Sequence, residues 1–421
     1  MNVKTQKFSL HEDWVVVLLG ALVILISLFF YVVPVPAFNW ASAHELGNKV
    51  LTSGNIATLL IQFIFITCVG AIGAGLLGKS VKNFLFSFPI IYLLSVLAMI
   101  LAGNAFVKTL NLEAVIFSLV AGLLISNLFK LPEWFKESLS TELFVKIGLV
   151  LLGTTIIFSD ILKAGSLGLI QALIVVVSVW YFAFWLCKKL KVDEELTMMI
   201  SSAVSICGVS AAIATSGAIK GDSKKLSYVI SMVLITAIPM MIIMPYIASW
   251  FSFPQQVTGA WLGGSIDTTG AVVASGTLVG EEALKISTIV KFSQNVLLGI
   301  AAFAISIYWS YRKPSGQATV EKPTLQVIWD RFPKFVLAFV AASLLFSFFL
   351  PEASVAAVKG SLKNLQTTWF TLAFTSIGLE TNFKELFKNE NKKPLYAFLI
   401  AQLFNVIITL IIAWLLFGGL I

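Results

Sequence analysis

Histidine is almost missing from this chain: His11 and His44 are the only two, far apart and outside any long apolar run. A histidine-centred active site is therefore not expected. Cysteine is nearly as scarce. Cys68, Cys187 and Cys207 lie in or beside apolar stretches without CxxC spacing, which gives no basis for a disulfide framework or a metal site. Charge is the third shortage. Only 12% of the 421 residues are charged, about half the fraction of a soluble domain. Hydrolase and protease signatures are also lacking, with no His-Glu-x-x-His, no Gly-x-Ser-x-Gly and no paired intramembrane aspartates in protease spacing. An intramembrane enzyme is thus disfavoured, no cofactor is called for, and pumping driven by a nucleotide is not expected either.

What fills the chain is apolar: 58% hydrophobic residues with 34 Phe and 11 Trp, and a mean hydropathy of +0.94. Crossing a ~30 Å hydrocarbon core takes about 20 apolar residues as a helix. Such runs recur near 14–34, 57–78, 84–103, 113–129, 143–162, 168–187, 226–252, 285–310, 333–350, 366–382 and 395–420. Two interrupted segments, near 196–219 and 257–280, come in addition. The fold class that follows is an all-α polytopic membrane protein with about 11–13 transmembrane segments.

The first run follows two lysines and precedes Ala41-Ser42-Ala43. It is longer than the ~7–15 residues of a signal-peptide core, so a retained first helix is expected. The organisation reads as one integral membrane domain, 1–421. Residues 1–56 form an N-terminal helix and external loop. Residues 57–311 form a first helical group holding both interruptions, 312–332 a linker, and 333–421 a C-terminal group. The net charge of +8 does not call for nucleic acid, because basic residues collect in short loops such as Lys188, Lys189 and Lys191. With the N-terminus cytoplasmic, most of the Lys and Arg fall in inside loops. Letting both interrupted segments enter and leave on one side brings Lys220, Lys224 and Lys225 inside as well, mildly favouring re-entrant hairpins over discontinuous crossing helices.

The interruptions read alike. Ser205-Ile206-Cys207-Gly208-Val209-Ser210-Ala211-Ala212-Ile213-Ala214 and Ser265-Ile266-Asp267-Thr268-Thr269-Gly270-Ala271-Val272-Val273-Ala274 share Ser, Ile, Ala and Ala without a gap. Polar, Gly-containing breaks at membrane depth leave backbone groups that hydrocarbon cannot satisfy, so they survive only against a protein-enclosed cavity. Paired breaks of this kind point to a transporter's binding site. A second echo joins Gly153-Thr154-Thr155-Ile156-Ile157-Phe158-Ser159-Asp160-Ile161 to Gly378-Leu379-Glu380-Thr381-Asn382-Phe383-Lys384-Glu385-Leu386. It reads as an internal duplication or as two ordinary helix ends.

Asp267 is the acidic residue inside the second break, and an ionisable group at that depth costs at least about 2.5 kcal/mol. It faces a wet cavity, pairs with a cation or carries a proton; the alternative is a helix cap shared with Thr268 and Thr269. Lys291, Gln294 and Asn295 form a polar stripe by i, i+3, i+4 spacing, suited to an oxyanion or to neutralising Asp267. Lys291 could instead snorkel outward. Ser205, Cys207, Gly208 and Ser210 offer a close backbone approach without charge, and a half-helix N-terminus favours an anion. An Asp267–Lys291 pair is expected, as is a Gly208→Leu protein that folds but does not transport.

These residues resemble a known family. Ser205-Ile206-Cys207-Gly208 through Ala214, Gly264-Ser265-Ile266-Asp267 through Gly276, and Lys291 are similar to the signature segments of the YeiH-like family of proposed sulfate exporters. The resemblance covers roughly residues 55–420, with Ser-Ile-Cys-Gly its most specific element. It implies an inverted-repeat transporter of the cation:proton antiporter and bile-acid symporter type, in the cell inner membrane. Asp267-Thr268 stands where that family has His-Glu, and Thr155 and Gln294 stand where arginines are expected, which weakens the case for a divalent anion.

The leading functional expectation is a secondary transporter exporting a small anion such as sulfate, a sulfonate or a carboxylate. The site residues would be Ser205, Cys207, Gly208, Ser210, Asp267, Thr268, Thr269, Lys291, Gln294 and Asn295. A cation-coupled antiporter using Asp267 for H⁺ or Na⁺ is the alternative, and a passive channel the lesser one. Partners are the bilayer, the solute and a coupling ion, with homodimeric assembly left open.

Overall fold

The computed structural model describes residues 10–109, 113–312, 326–381 and 392–419. The described residues form helices joined by turns and irregular segments, with one isolated bridge between Trp40 and Asn104. In chain order the principal helices begin with α1 (Glu12–Phe29), α2 (Ser53–Leu76), α3 (Val81–Ala102), α4 (Ala114–Leu128) and α5 (Thr141–Gly153). Then come α6 (Phe158–Lys189), α7 (Glu194–Ser205), α8 (Val209–Ile219), α9 (Ser223–Trp250), α10 (Gln255–Ser265), α11 (Thr269–Val279) and α12 (Glu281–Arg312). The last are α13 (Phe335–Leu344), α14 (Glu352–Glu380) and α15 (Lys393–Phe417). Among the described residues seven helices are long and apolar enough to cross a membrane: α1, α2, α3, α6, α9, α12 through Trp309, and α15. Shorter apolar helices accompany them, α4, α8, α11 and the stretch Phe335–Phe349 among them.

Two expected runs divide differently. The run at 143–162 is two helices, because α5 stops at Gly153. A Cβ on Gly153 would stand 2.4 Å from Phe339 O, and the Thr154 and Thr155 hydroxyls donate back to Leu151 O and Leu152 O, drawing the chain into a turn. The run at 366–382 is the apolar end of α14, which begins at Glu352 with the exposed residues Lys359 and Lys363. Of the second echo, Gly153 ends a helix whereas Gly378 lies inside one; Asn382 to Leu386 fall outside the described residues.

A phosphate-loop pattern that sequence reading passed over, Gly73-Ala74-Gly75-Leu76-Leu77-Gly78-Lys79-Ser80, is also resolved by the fold. A working loop follows a strand and turns its amides inward. Here Gly73 to Leu76 are helical, Lys79 Nζ donates to Leu139 O at 2.7 Å, and Ser80 caps α3. The match carries no nucleotide chemistry.

The helices form two compact units, each assembled from two separate stretches of the chain. Unit 1 is Met1–Phe158 with Lys334–Asn382, and unit 2 is Ser159–Pro333 with Phe383–Ile421. Unit 1 is built around the buried rings of Phe84, Phe88, Phe144 and Trp369. Lys146, a lysine within an apolar run, is neutralised there by Glu12 at 2.7 Å and Asp13 at 3.1 Å. Unit 2 packs α6, α7, α9 and α15 through Val175, Val179, Met199, Met232, Val233 and Phe398, and it contains both interruptions.

Candidate functional site at the crossing of two broken helices

Both interruptions break the helix where expected. The first leaves helical geometry at Ile206 (φ −119°, ψ −90°) and resumes after Gly208 (φ +60°, ψ −108°). That positive φ is one that side-chain-bearing residues rarely adopt. The second runs extended through Ile266 (φ −81°, ψ 129°) and Thr268 (φ −108°, ψ 141°). The breaks touch: a Cβ on Gly208 would stand 2.9 Å from Asp267 Cβ and 2.6 Å from Val233 Cγ1.

Helix α12 reaches this crossing because small residues let it approach. Gly259 and Gly263 of α10, spaced four apart, leave no room for a Cβ against Ala283 O and Ser287 O. Gly276 of α11 does the same against Leu284. This is the close backbone packing that small residues permit between membrane helices. It carries Lys291 into the crossing, where it is 1% exposed.

There Lys291 is fully occupied. Its ammonium has three protons, and these go to Ile206 O, Ile266 O and Gln294 Oε1, each at 2.8 Å. Ile206 and Ile266 are the residues that close α7 and α10. The last carbonyls of a helix have no intrahelical partner and carry roughly half a negative charge between them. Two such ends meet one ammonium. The amides complete the cover: Gln294 Nε2 donates to Ser205 O at 2.9 Å and Gly264 O at 3.3 Å. Asn405 Nδ2 donates to Val204 O at 3.0 Å and Ser265 O at 3.3 Å, and Gln402 Nε2 donates to Ser265 O at 2.8 Å. The three final carbonyls of each half-helix are thereby met by side chains from α12 and α15.

Asp267 and Lys291 form no direct ion pair among those of the described residues, since the ammonium is held by the two carbonyl ends and Gln294, but the two groups lie close enough for their charges to interact. Lys291 does not snorkel either. Asp267, 1% exposed, lies beside Gln402, whose amide N–H groups go to Ser265 O and Met240 Sδ, and its Oδ2 is buried with no hydrogen-bond partner among the described residues. It is not the helix cap. Thr268 caps α11, its Oγ1 accepting from Ala271 N at 3.3 Å, while Gly208 opens α8 without a side-chain cap. Asn295 Nδ2 reaches Thr269 Oγ1 at 3.4 Å.

Of the expected residues, the structure gathers Ser205, Cys207, Gly208, Asp267, Thr268, Thr269, Lys291, Gln294 and Asn295 at the crossing. Ser205 and Cys207 are buried; the Ser205 hydroxyl turns back to Ser201 O. Ser210, in the first turn of α8, is exposed. Sequence reading missed Gln402, Asn405 and Thr409, although their i, i+3, i+7 spacing on an apolar helix marks one face. It also missed Gln171, which donates to Ala260 O at 2.7 Å.

Residues 86–397 match the family model described as Conserved hypothetical protein 698. A UPF0324 membrane protein of Rhodopirellula baltica is 40% identical over 377 residues, covering 87% of this chain and 69% of that protein. One from Nitratidesulfovibrio vulgaris is 37% identical over 378 residues, covering 86% of this chain and 65% of the relative. One from Nitrosomonas europaea is 28% identical over 422 residues, covering 86% and 84%. The chain thus spans slightly less than two thirds of the length of the Nitratidesulfovibrio relative. No solved structure matches. With its match over most of its length and its broken-helix segment Ser205-Ile206-Cys207-Gly208, the chain belongs to the UPF0324 family of membrane proteins, the YeiH-type family that segment resembles.

Proposed function

We propose that the crossing is the solute site of a secondary transporter, moving a small anion by alternating access. The observation that carries this reading is an asymmetry. The negative ends of the two half-helices that stop at the crossing, α7 and α10, are covered by Lys291, Gln294, Gln402 and Asn405. The positive ends are less covered: α8 starts at Gly208 with no side-chain cap, α11 has only the Thr268 hydroxyl on Ala271 N, and Val209, Ser210, Thr268 and Thr269 are all at least partly exposed. Amide ends left open at a break attract an anion. Lys291 on this reading is a scaffold cation that holds the breaks together, not a direct ligand. Sulfate, a sulfonate and a carboxylate all suit such amides, and export from the cell across the inner membrane is the direction the family resemblance suggests.

The test is thermal stabilisation of purified protein by sulfate, methanesulfonate, acetate and Na⁺, followed by flux of any stabilising ion in liposomes. A ligand that binds the folded state raises its apparent stability. Stabilisation by an anion, weakened in Thr268→Val, is expected. A second reading, a cation-coupled antiporter, rests on the unpartnered Oδ2 of Asp267. Stabilisation by Na⁺ alone would choose it.

A further inference from the structure

The fixed charges at the crossing can be summed. The carboxyl ends of α7 and α10 each present roughly half a negative charge, and the amide ends of α8 and α11 roughly half a positive charge each. Lys291, bonded to Ile206 O and Ile266 O, offsets the first pair. Asp267 is the carboxylate beside the second pair: its Cβ lies against Gly208, which opens α8, and it directly precedes Thr268, which caps α11. With Asp267 ionised and no solute bound, the crossing is already balanced. An anion held by the same amide ends adds a second negative charge beside a carboxylate that is 1% exposed.

We propose that Asp267 and a monovalent anion exchange a single negative charge at the crossing, so that the anion binds only as Asp267 takes up a proton. Transport is then proton-coupled, one proton to one anion. This rests on the reading of the crossing as an anion site. In the step, hydronium gives its proton to the Asp267 carboxylate, an O–H bond forms, water is left, and no bond in the anion changes. Oδ2, buried and without a hydrogen-bond partner among the described residues, is the atom that receives it. A divalent anion would leave one negative charge uncompensated, which is why the solute class is monovalent.

The surroundings of Asp267 leave few rivals for the proton. Lys291, Gln294 and Asn295 face the crossing from α12, Cys207 and Gly208 from the first break, Gln402 and Asn405 from α15, and Val233 and Met240 from α9. Only Lys291 and Cys207 among them titrate. Lys291 could lose a proton only by releasing a helix end or Gln294, and Cys207→Ser separates the thiol.

The experiment adds methanesulfonate, acetate and sulfate to the purified full-length protein in weak buffer, recording binding and proton uptake together from pH 5 to 9. A monovalent probe should bind with uptake of about one proton, and its affinity should fall about tenfold per pH unit above the ionisation of Asp267. Asp267→Asn should bind it without proton uptake and without pH dependence, while Asp267→Glu and Cys207→Ser keep the coupling. Binding by wild type with no proton uptake, or uptake that persists in Asp267→Asn, would overturn the coupling and leave the anion site standing. Sulfate binding with a single proton would overturn the monovalent class. If no probe binds wild type or Asp267→Asn at any pH, the anion reading itself fails.

Discussion

At the scale of single residues, Gly208 and Lys291 bear different kinds of constraint. Gly208 holds a positive φ and has two atoms closer to its missing Cβ than any real contact allows. Gly208→Ala is therefore expected to lose about 1–3 kcal/mol from backbone strain alone, read as a lower melting temperature. This revises the expectation that Gly208→Leu stays folded. A Gly208→Ala protein melting with wild type would show that the break relaxes freely. Lys291→Met keeps the stem and removes the ammonium, leaving Ile206 O and Ile266 O bare. Each bare buried acceptor costs about 1–3 kcal/mol, so the variant should melt well below wild type. Lys285→Met, six residues earlier on the same helix and half-buried, should shift stability by no more than about 0.5 kcal/mol. Equal effects of the two substitutions would remove Lys291 from its role as a double cap.

At the scale of elements, the helices that hold the breaks are not the broken ones. Asn405 and Gln402 of α15 reach Val204 O and Ser265 O, so Asn405→Leu is expected to destabilise by about 1–3 kcal/mol although it adds apolar surface to an apolar helix. A stabilised Asn405→Leu would contradict this. The outer end of α7 behaves differently. Asp193 caps it through the amides of Glu195 and Leu196 and pairs with Lys225 at 2.8 Å. Burial, the largest single influence, pushes the Asp193 carboxyl up, but the hydrogen bonds from Lys225 and the two amides together outweigh it and hold the carboxyl below its usual value. A depressed folded pKa means the stabilisation is present above the unfolded value near 3.8 and is lost as pH falls through the folded one. Melting of wild type and Asp193→Ala should therefore differ by about 1 kcal/mol at neutral pH and converge below pH 4. A gap unchanged at pH 3 would assign the effect to something other than this carboxylate.

These elements also mark what sequence could reveal. The breaks were legible because small and polar residues interrupt apolar runs, and the Lys291 stripe because charge in such a run is conspicuous. Gln402 and Asn405 mark a face of α15 by their spacing, but that spacing gives no hint of which carbonyls the face will meet. The start of α14 was hidden by Lys359 and Lys363, which face outward and lower the local hydropathy without ending the helix. Nor could spacing foretell that Lys291 would serve carbonyl ends before a carboxylate, because that depends on where two helices stop.

At the scale of the whole molecule, each unit is closed by chain that arrives late. Unit 2 needs α15, and unit 1 needs α13 and α14. A chain ending before Lys393 is expected to keep unit 1, with Trp369 buried against Phe144, and to lose the order of α7 to α11. Limited proteolysis in detergent should then cut within 194–279 while sparing 141–153 and 352–380. Uniform resistance, or uniform loss, would deny α15 that role.

The span between Val204 and Asn405 has a consequence for how the protein is made. Their hydrogen bond joins residues 201 positions apart, and at synthesis rates of about 5–20 residues per second the second partner emerges roughly 10–40 seconds after the first. Lys291 arrives sooner, 85 residues after Ile206. During that interval the final carbonyls of α7 lack the donors that cover them in the folded protein, so the order of this break is expected to come late in synthesis, with α12 and then α15.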